Sequence, residues 1–253
     1  MSRPAPAARS VGALVAHDLR LTARRGENVL VTIVIPIAVL LFFSSTSIIP
    51  AAGRAVDFIL PGSIALAIIA SGLVNLGIAT AYERSYGVLK RLGGAPLPRW
   101  ALIAAKVGSI LVLEVVQVAA LIAVAAVALG WSPGRGWSPG LLLLAIVLGT
   151  VAFAGLGLLL AGTLRAEATL ALANGLFLGF LMLGGMVLPI DHLPAALQPL
   201  AQLLPATALA DLLRIALASG TGAAPPDALV PIGILAAWAA STTGLAIGTF
   251  RWE

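Results

Sequence analysis

Six long apolar runs divide this chain, at about 29–49, 58–81, 101–130, 141–164, 168–190 and 228–250. A hydrocarbon layer about 30 Å thick takes roughly 20 helical residues to cross, so each run predicts a membrane-spanning helix. Lipid cannot satisfy exposed backbone amides, which makes helix the expected conformation of all six. The breaks carry turn and helix-stop residues: Pro50 and Gly53; Gly93, Gly94, Pro96 and Pro98; and the doubled Trp131-Ser132-Pro133-Gly134 and Trp137-Ser138-Pro139-Gly140. The predicted fold is an all-α integral membrane protein of six transmembrane helices over 29–253, preceded by an amino-terminal segment, 1–28.

Two shorter patterns complete the outline. Between 10 and 28, Val11, Leu14, Val15 and Leu19 recur at helical spacing while His17, Arg20, Arg24 and Arg25 fall elsewhere on the wheel. That suits an amphipathic helix lying flat in the headgroups; a solvated basic tail is the alternative. Over 193–219, two apolar stretches too short to cross are bounded by Pro194, Pro199, Pro205 and Gly220. They predict short external, re-entrant helices before the last span, with Asp211 and Arg214 paired at i, i+3.

Composition agrees with the pattern: 60% of residues are hydrophobic and 10% charged, against roughly 25% charged in a soluble domain. The net charge of +5 and pI near 10.7 point to no nucleic acid, because no basic face of soluble size exists. Placement of the cations explains them instead. Of 15 lysines and arginines, all but Arg54, Arg135 and Arg214 fall at one set of span ends, leaving twelve there. Cationic loops stay cytoplasmic, so both termini are predicted inside, with the chain multi-pass in the plasma membrane. The chain has no cysteine, and His17 and His192 lack metal-site spacing, so no metal is expected.

The loop 82–100 is the one long connection dense in charge. A helix over 83–92 would set Tyr86, Leu89 and Leu92 on one face, flanked by Arg84, Lys90 and Arg91, with Gly93-Gly94 as a stop. An apolar centre with a charged rim is suited to docking into another protein. Glu83, Arg84, Gly87, Leu89, Lys90, Arg91 and Pro96 are the candidates for that contact. The competing reading is that these charges only orient the chain and touch headgroups.

Polar residues inside the apolar runs are few. Asn75, Glu114, Gln117 and Asn174 are candidates for a substrate path or gate, and Glu114 and Gln117 share a face one turn apart. An acidic side chain at that depth faces protein or a water-filled cavity, so packing is the alternative role. Gly175 with Gly179, and Gly244 with Gly248, are small-residue pairs that permit close helix approach, within the chain or between chains.

Two patches resemble the permease subunits of the ABC-2 family of ATP-binding-cassette exporters, in particular half-size drug and antibiotic exporters of the daunorubicin-resistance kind. Glu83-Arg84-Ser85-Tyr86-Gly87-Val88-Leu89-Lys90-Arg91-Leu92 with Ala95-Pro96-Leu97-Pro98 is similar to the family's E-R-E-x-G-T-L-K-R-L…T-P-L-P segment. Ser85, Val88 and Ala95 depart from it. Gly184-Gly185-Met186-Val187-Leu188-Pro189 with Asp211-Leu212-Leu213-Arg214 is similar to the family's ending after span five. The resemblance implies a flat amino-terminal helix, a cytoplasmic coupling helix after span two, and export of an amphipathic drug, antibiotic or lipid-like substrate.

No G-x-x-x-x-G-K-[ST] segment occurs, so this chain is not expected to cradle nucleotide or to be an enzyme itself. An exporter of this build implies a separate ABC ATPase subunit carrying ATP and magnesium, and a second permease copy or a sister permease. Two other classes compete: an ion-coupled secondary transporter using Glu114, against which the absence of discernible inverted halves counts, and a membrane-embedded lipid-modifying enzyme, for which Asp191-His192 is a thin catalytic set.

Overall fold

The computed structural model describes residues 7–24, 26–46, 54–93, 99–218 and 227–250. Every element among them is helical: α1 (Ala7–Arg24), α2 (Gly26–Ser45), α3 (Ala55–Ile69), a π-helical segment (Ala70–Asn75), α4 (Leu76–Ser85), α5 (Val88–Gly93), α6 (Arg99–Leu129), α7 (Pro139–Thr163), α8 (Ala166–Leu183), a 3-10 turn (Ile190–His192), α9 (Gln198–Gln202), α10 (Pro205–Ala216) and α11 (Leu229–Thr249).

Five helices among the described residues are long and apolar enough to cross a membrane: Ala55–Ser85, Trp100–Leu129, Pro139–Thr163, Ala166–Leu183 and Leu229–Thr249. The first of the six expected spans corresponds to α2, whose described apolar stretch, Ile33–Ser45, is shorter. Span two starts earlier than its hydropathy suggested, and α3 accommodates Pro61 within it. At 1.5 Å per residue, the 31-residue rod Ala55–Ser85 is about 46 Å long, more than a hydrocarbon layer needs. Its surplus carries Tyr82 to Ser85 beyond the apolar region.

The core is organised around α7, which packs against α3 and α4, the π segment, α10 and α11. Its start is built locally: Pro139 occupies the first turn and the Ser138 side chain accepts from the Leu141 amide at 3.3 Å. Its glycines allow close approach. A Cβ on Gly157 would sit 2.6 Å from the Gly72 carbonyl oxygen, and one on Gly155 would sit 2.6 Å from Thr242 Oγ1. The Thr242 hydroxyl then reaches the Ala152 carbonyl at 3.1 Å, fastening α11 to α7.

Two expectations change, and two burials add to the picture. The glycine pairs of α8 and α11 meet nothing: a Cβ on Gly175, Gly179, Gly244 or Gly248 would find no atom within 4 Å, so they do no packing within the described residues. Span five ends at Leu183, before its expected limit, because Gly184 caps it and Gly185 takes a left-handed φ of 64°. The apolar face of α10 meets protein, with Leu209, Leu212, Leu213 and Leu217 fully buried. Trp131 is buried in the core too, whereas Trp100 and Trp137 remain exposed at helix ends.

Candidate functional site

The loop after span two is a helix–turn–helix rather than one helix. α4 runs to Ser85, and the chain then turns through Tyr86 and Gly87, whose φ of 71° only glycine adopts cheaply. The Gly87 amide donates to the Arg84 carbonyl at 3.0 Å, and α5 begins at Val88.

This break reassigns the expected face. Leu89 is fully buried, in a cluster with Leu102 of α6 and Phe250 beyond α11, so it fastens the turn to the bundle. Tyr86, 74% exposed, and Val88, 42% exposed, form the apolar tip instead, with exposed Lys90 beside them. Tyr86 stacks on Tyr82 with ring centroids 6.0 Å apart. Arg91 lies on α5, and Pro96 falls outside the described residues.

Two of the expected contact residues are engaged inside the molecule. Arg84 Nη2 donates to the Leu164 carbonyl, the residue that caps α7, where the negative end of the helix dipole favours a cation. Glu83 accepts from Lys106 Nζ of α6 at 2.7 Å. On α1, burial pushes the Asp18 carboxyl above its ordinary value, an effect that nearby Lys106 opposes.

The polar residues of the spans do not gather at one point. Glu114 and Gln117 are buried between helices: the Thr150 hydroxyl of α7 donates to Glu114 Oε2, and the Ser71 hydroxyl of the π segment donates to Gln117 Oε1 at 3.4 Å. A π-helical turn widens the helix, a feature frequent at functional positions. Here it sits where Gly72 closes on the Ala154 amide. Asn75 and Asn174 are exposed, and Asn174 donates to the Leu170 carbonyl of its own helix at 2.8 Å. Ser71 and Thr150 were missed in sequence because a small hydroxyl hardly interrupts an apolar run.

At the other end of the bundle, Arg214 pairs with Asp211 at 2.8 Å, as the i, i+3 spacing suggested. It also donates to the Gly185 carbonyl and lies 4.4 Å from the centroid of the Phe58 ring. A cavity of about 480 Å³ opens beside it, lined among others by Asp191, Gln198, Gln202 and Ile234.

A search of curated proteins finds no match to this sequence. A family profile described as ABC-2 type transporter matches residues 9–218, from α1 to the end of α10 and so across both engaged clusters. With well over half its length matched, the chain belongs to the ABC-2 type transporter family.

Proposed function

We propose that this chain is the permease subunit of an ATP-driven exporter, with six spans, both termini cytoplasmic and the plasma membrane as its location. Two copies, or this chain and a sister permease, enclose the path of an amphipathic drug, antibiotic or lipid-like substrate. A separate ABC ATPase subunit binds ATP and magnesium. The observation that carries the reading is the exposed tip of Tyr86, Val88 and Lys90 on a turn seated by Leu89, Arg84 and Glu83. A tip that is apolar and fixed can push on the helices behind it, and a loosely tethered one cannot. Glu83, Arg84 and Leu89 then act by holding the contact in place.

Deeper in the membrane, Glu114–Thr150 and Gln117–Ser71 join α6 to α7 and to the π segment. A path opening between these helices must rearrange both pairs, which is how Glu114 and Gln117 would gate it. Co-expression with an ABC ATPase subunit tests the proposal. A stable complex with ATP hydrolysis stimulated by amphiphiles supports it, and export that runs without nucleotide sinks it.

One observation favours a second reading, an ion-coupled transporter. Glu114 Oε1 is buried with no hydrogen-bond partner among the described residues. Glu114→Gln separates the two: it would abolish proton-driven transport in vesicles, while ATP-driven export would at most be slowed.

A further inference from the structure

The Thr150 hydroxyl lies between two oxygens. Its Oγ1 is in hydrogen-bond contact with Glu114 Oε2 across the seam between α6 and α7, and it stands 2.7 Å from the Ile146 carbonyl of its own helix. A hydroxyl has one proton to give, and a main-chain carbonyl has none. With Glu114 ionised, the hydroxyl donates to one of the two, and the other pair of oxygens meets with no proton between them. With Glu114 protonated, both contacts are filled: Glu114 Oε2 donates to Thr150 Oγ1, and Thr150 donates to the Ile146 carbonyl.

The surroundings favour the same state. Glu114 is fully buried, and its Oε1 has no hydrogen-bond partner among the described residues. A carbonyl oxygen without a donor costs far less than a carboxylate stripped of water. No cation comes to meet it. Of the elements packed against α6, the π segment, α7 and α11 contain no ionisable residue, while α3 has only Asp57 and α2 only Glu27, each in its first turn. α1 carries Arg9, His17, Asp18, Arg20 and Arg24, and it meets α6 beside Gly108 and Ser109, short of Glu114. On α6 itself Lys106, already held by Glu83, is about 12 Å away along the axis, and Arg99 is farther still.

We propose that Glu114 and Thr150 form a proton site: Glu114 carries a proton while α6 and α7 are together and passes it to water when they part. A glutamate in water is ionised at neutral pH, so opening releases one proton per chain. Closing must take one back, because an ionised Glu114 strands a charge away from water. The closed seam holds the extra proton. Acid therefore favours the closed seam, and raising the pH favours the open one by up to about tenfold per unit. The proton follows the opening and does not drive it. The inference rests on the permease reading for what parts the helices, but the proton itself can be observed on the chain alone.

Infrared difference spectroscopy of the full chain in lipid nanodiscs tests the first half. At about pH 8, where exposed carboxylates are ionised, the parent should show the carbonyl stretch of a protonated carboxylic acid that Glu114→Gln lacks. A difference spectrum without that band overturns the site. If Glu114→Gln does not fold, Thr150→Ala takes away the acceptor of the proton and should move the band. A band that ignores Thr150→Ala belongs to another carboxyl and overturns the site as well.

The second half is read in the complex with an ABC ATPase subunit, in weakly buffered medium with pyranine as the probe. Trapping the complex with a non-hydrolysable nucleotide should release about one proton per chain more from the parent than from Glu114→Gln, as one titrating group requires. Glu114→Gln keeps a donor for Thr150 through its amide, so it should assemble normally and lose only the pH dependence of opening. No excess of protons, from a complex that does hydrolyse ATP, overturns the proton site and leaves the permease reading intact. A chain that forms no such complex sinks the permease reading and with it the release step, while the infrared band still decides whether Glu114 is protonated.

Discussion

Both ends of this bundle hold an arginine or lysine inside the protein, but they use it differently. At the far end, Arg214 spends its guanidinium on Asp211, the Gly185 carbonyl and the Phe58 ring, and no large apolar side chain of that cluster is left pointing outward. At the end bearing Arg84, the charges serve a protrusion. Arg84 holds the cap of α7, Glu83 holds Lys106, and Tyr86 and Val88 stand clear of both. Similar ionic chemistry fastens helices together at one end and seats a handle at the other. What differs is the chain length: the surplus of the rod Ala55–Ser85 gives one end a place to build outward.

The contrast can be broken most forcefully at the Arg214 cluster. Arg214→Met should lower stability by about 3 kcal/mol, because it strips a buried carbonyl and a carboxylate of their partner at once. Thermal unfolding of the purified chain in detergent reads the loss; an unchanged midpoint would mean that the cluster fastens nothing. Next comes the seat of the handle. Leu89→Ala removes a fully buried side chain and should cost about 2–3 kcal/mol, concentrated in the turn, so that limited proteolysis cuts there first.

The tip itself should behave in the opposite way. Tyr86→Ala is expected to leave the unfolding midpoint in place and to weaken association with an ABC ATPase subunit by about 30-fold, the size of a typical interface anchor. Equal effects on stability and association would erase the distinction between seat and tip. The smallest change belongs to Lys90→Ala, an exposed charge worth less than about 1 kcal/mol. It should slow association, and added salt should shrink the difference from the parent.

Several of these roles were legible in the sequence only as residue types. The segment 82–100 stood out because its charges interrupt apolar runs, and Asp211–Arg214 stood out by spacing. Leu89 was read as part of an apolar centre facing a partner and is buried in the bundle, since a helical wheel drawn through 83–92 could not know that the helix stops at Ser85, before the turn at Gly87. Gly175, Gly179, Gly244 and Gly248 fit the small-residue rule, yet the close contacts fall to Gly157, Gly155 and Gly72. Hydropathy treats a lipid-facing and a protein-facing side of a helix alike, so it cannot say which glycine meets a neighbour. The partners Thr150 and Ser71 were hidden for a related reason: their hydroxyls can bond their own helix, and nothing local marks the ones that reach across.

By itself the sequence determined that this chain is a bundle of membrane helices with one charged loop of consequence, because the cost of exposing backbone amides or charges to hydrocarbon acts locally, residue by residue. Tertiary structure alone decided that Glu83 belongs to Lys106, that Arg84 belongs to the cap of α7, that Leu89 faces inward and that Tyr86 and Val88 face out. Those outcomes depend on how helices far apart in the chain rotate against one another. An apolar helix carries too little sequence contrast between its faces to fix that rotation before its neighbours arrive.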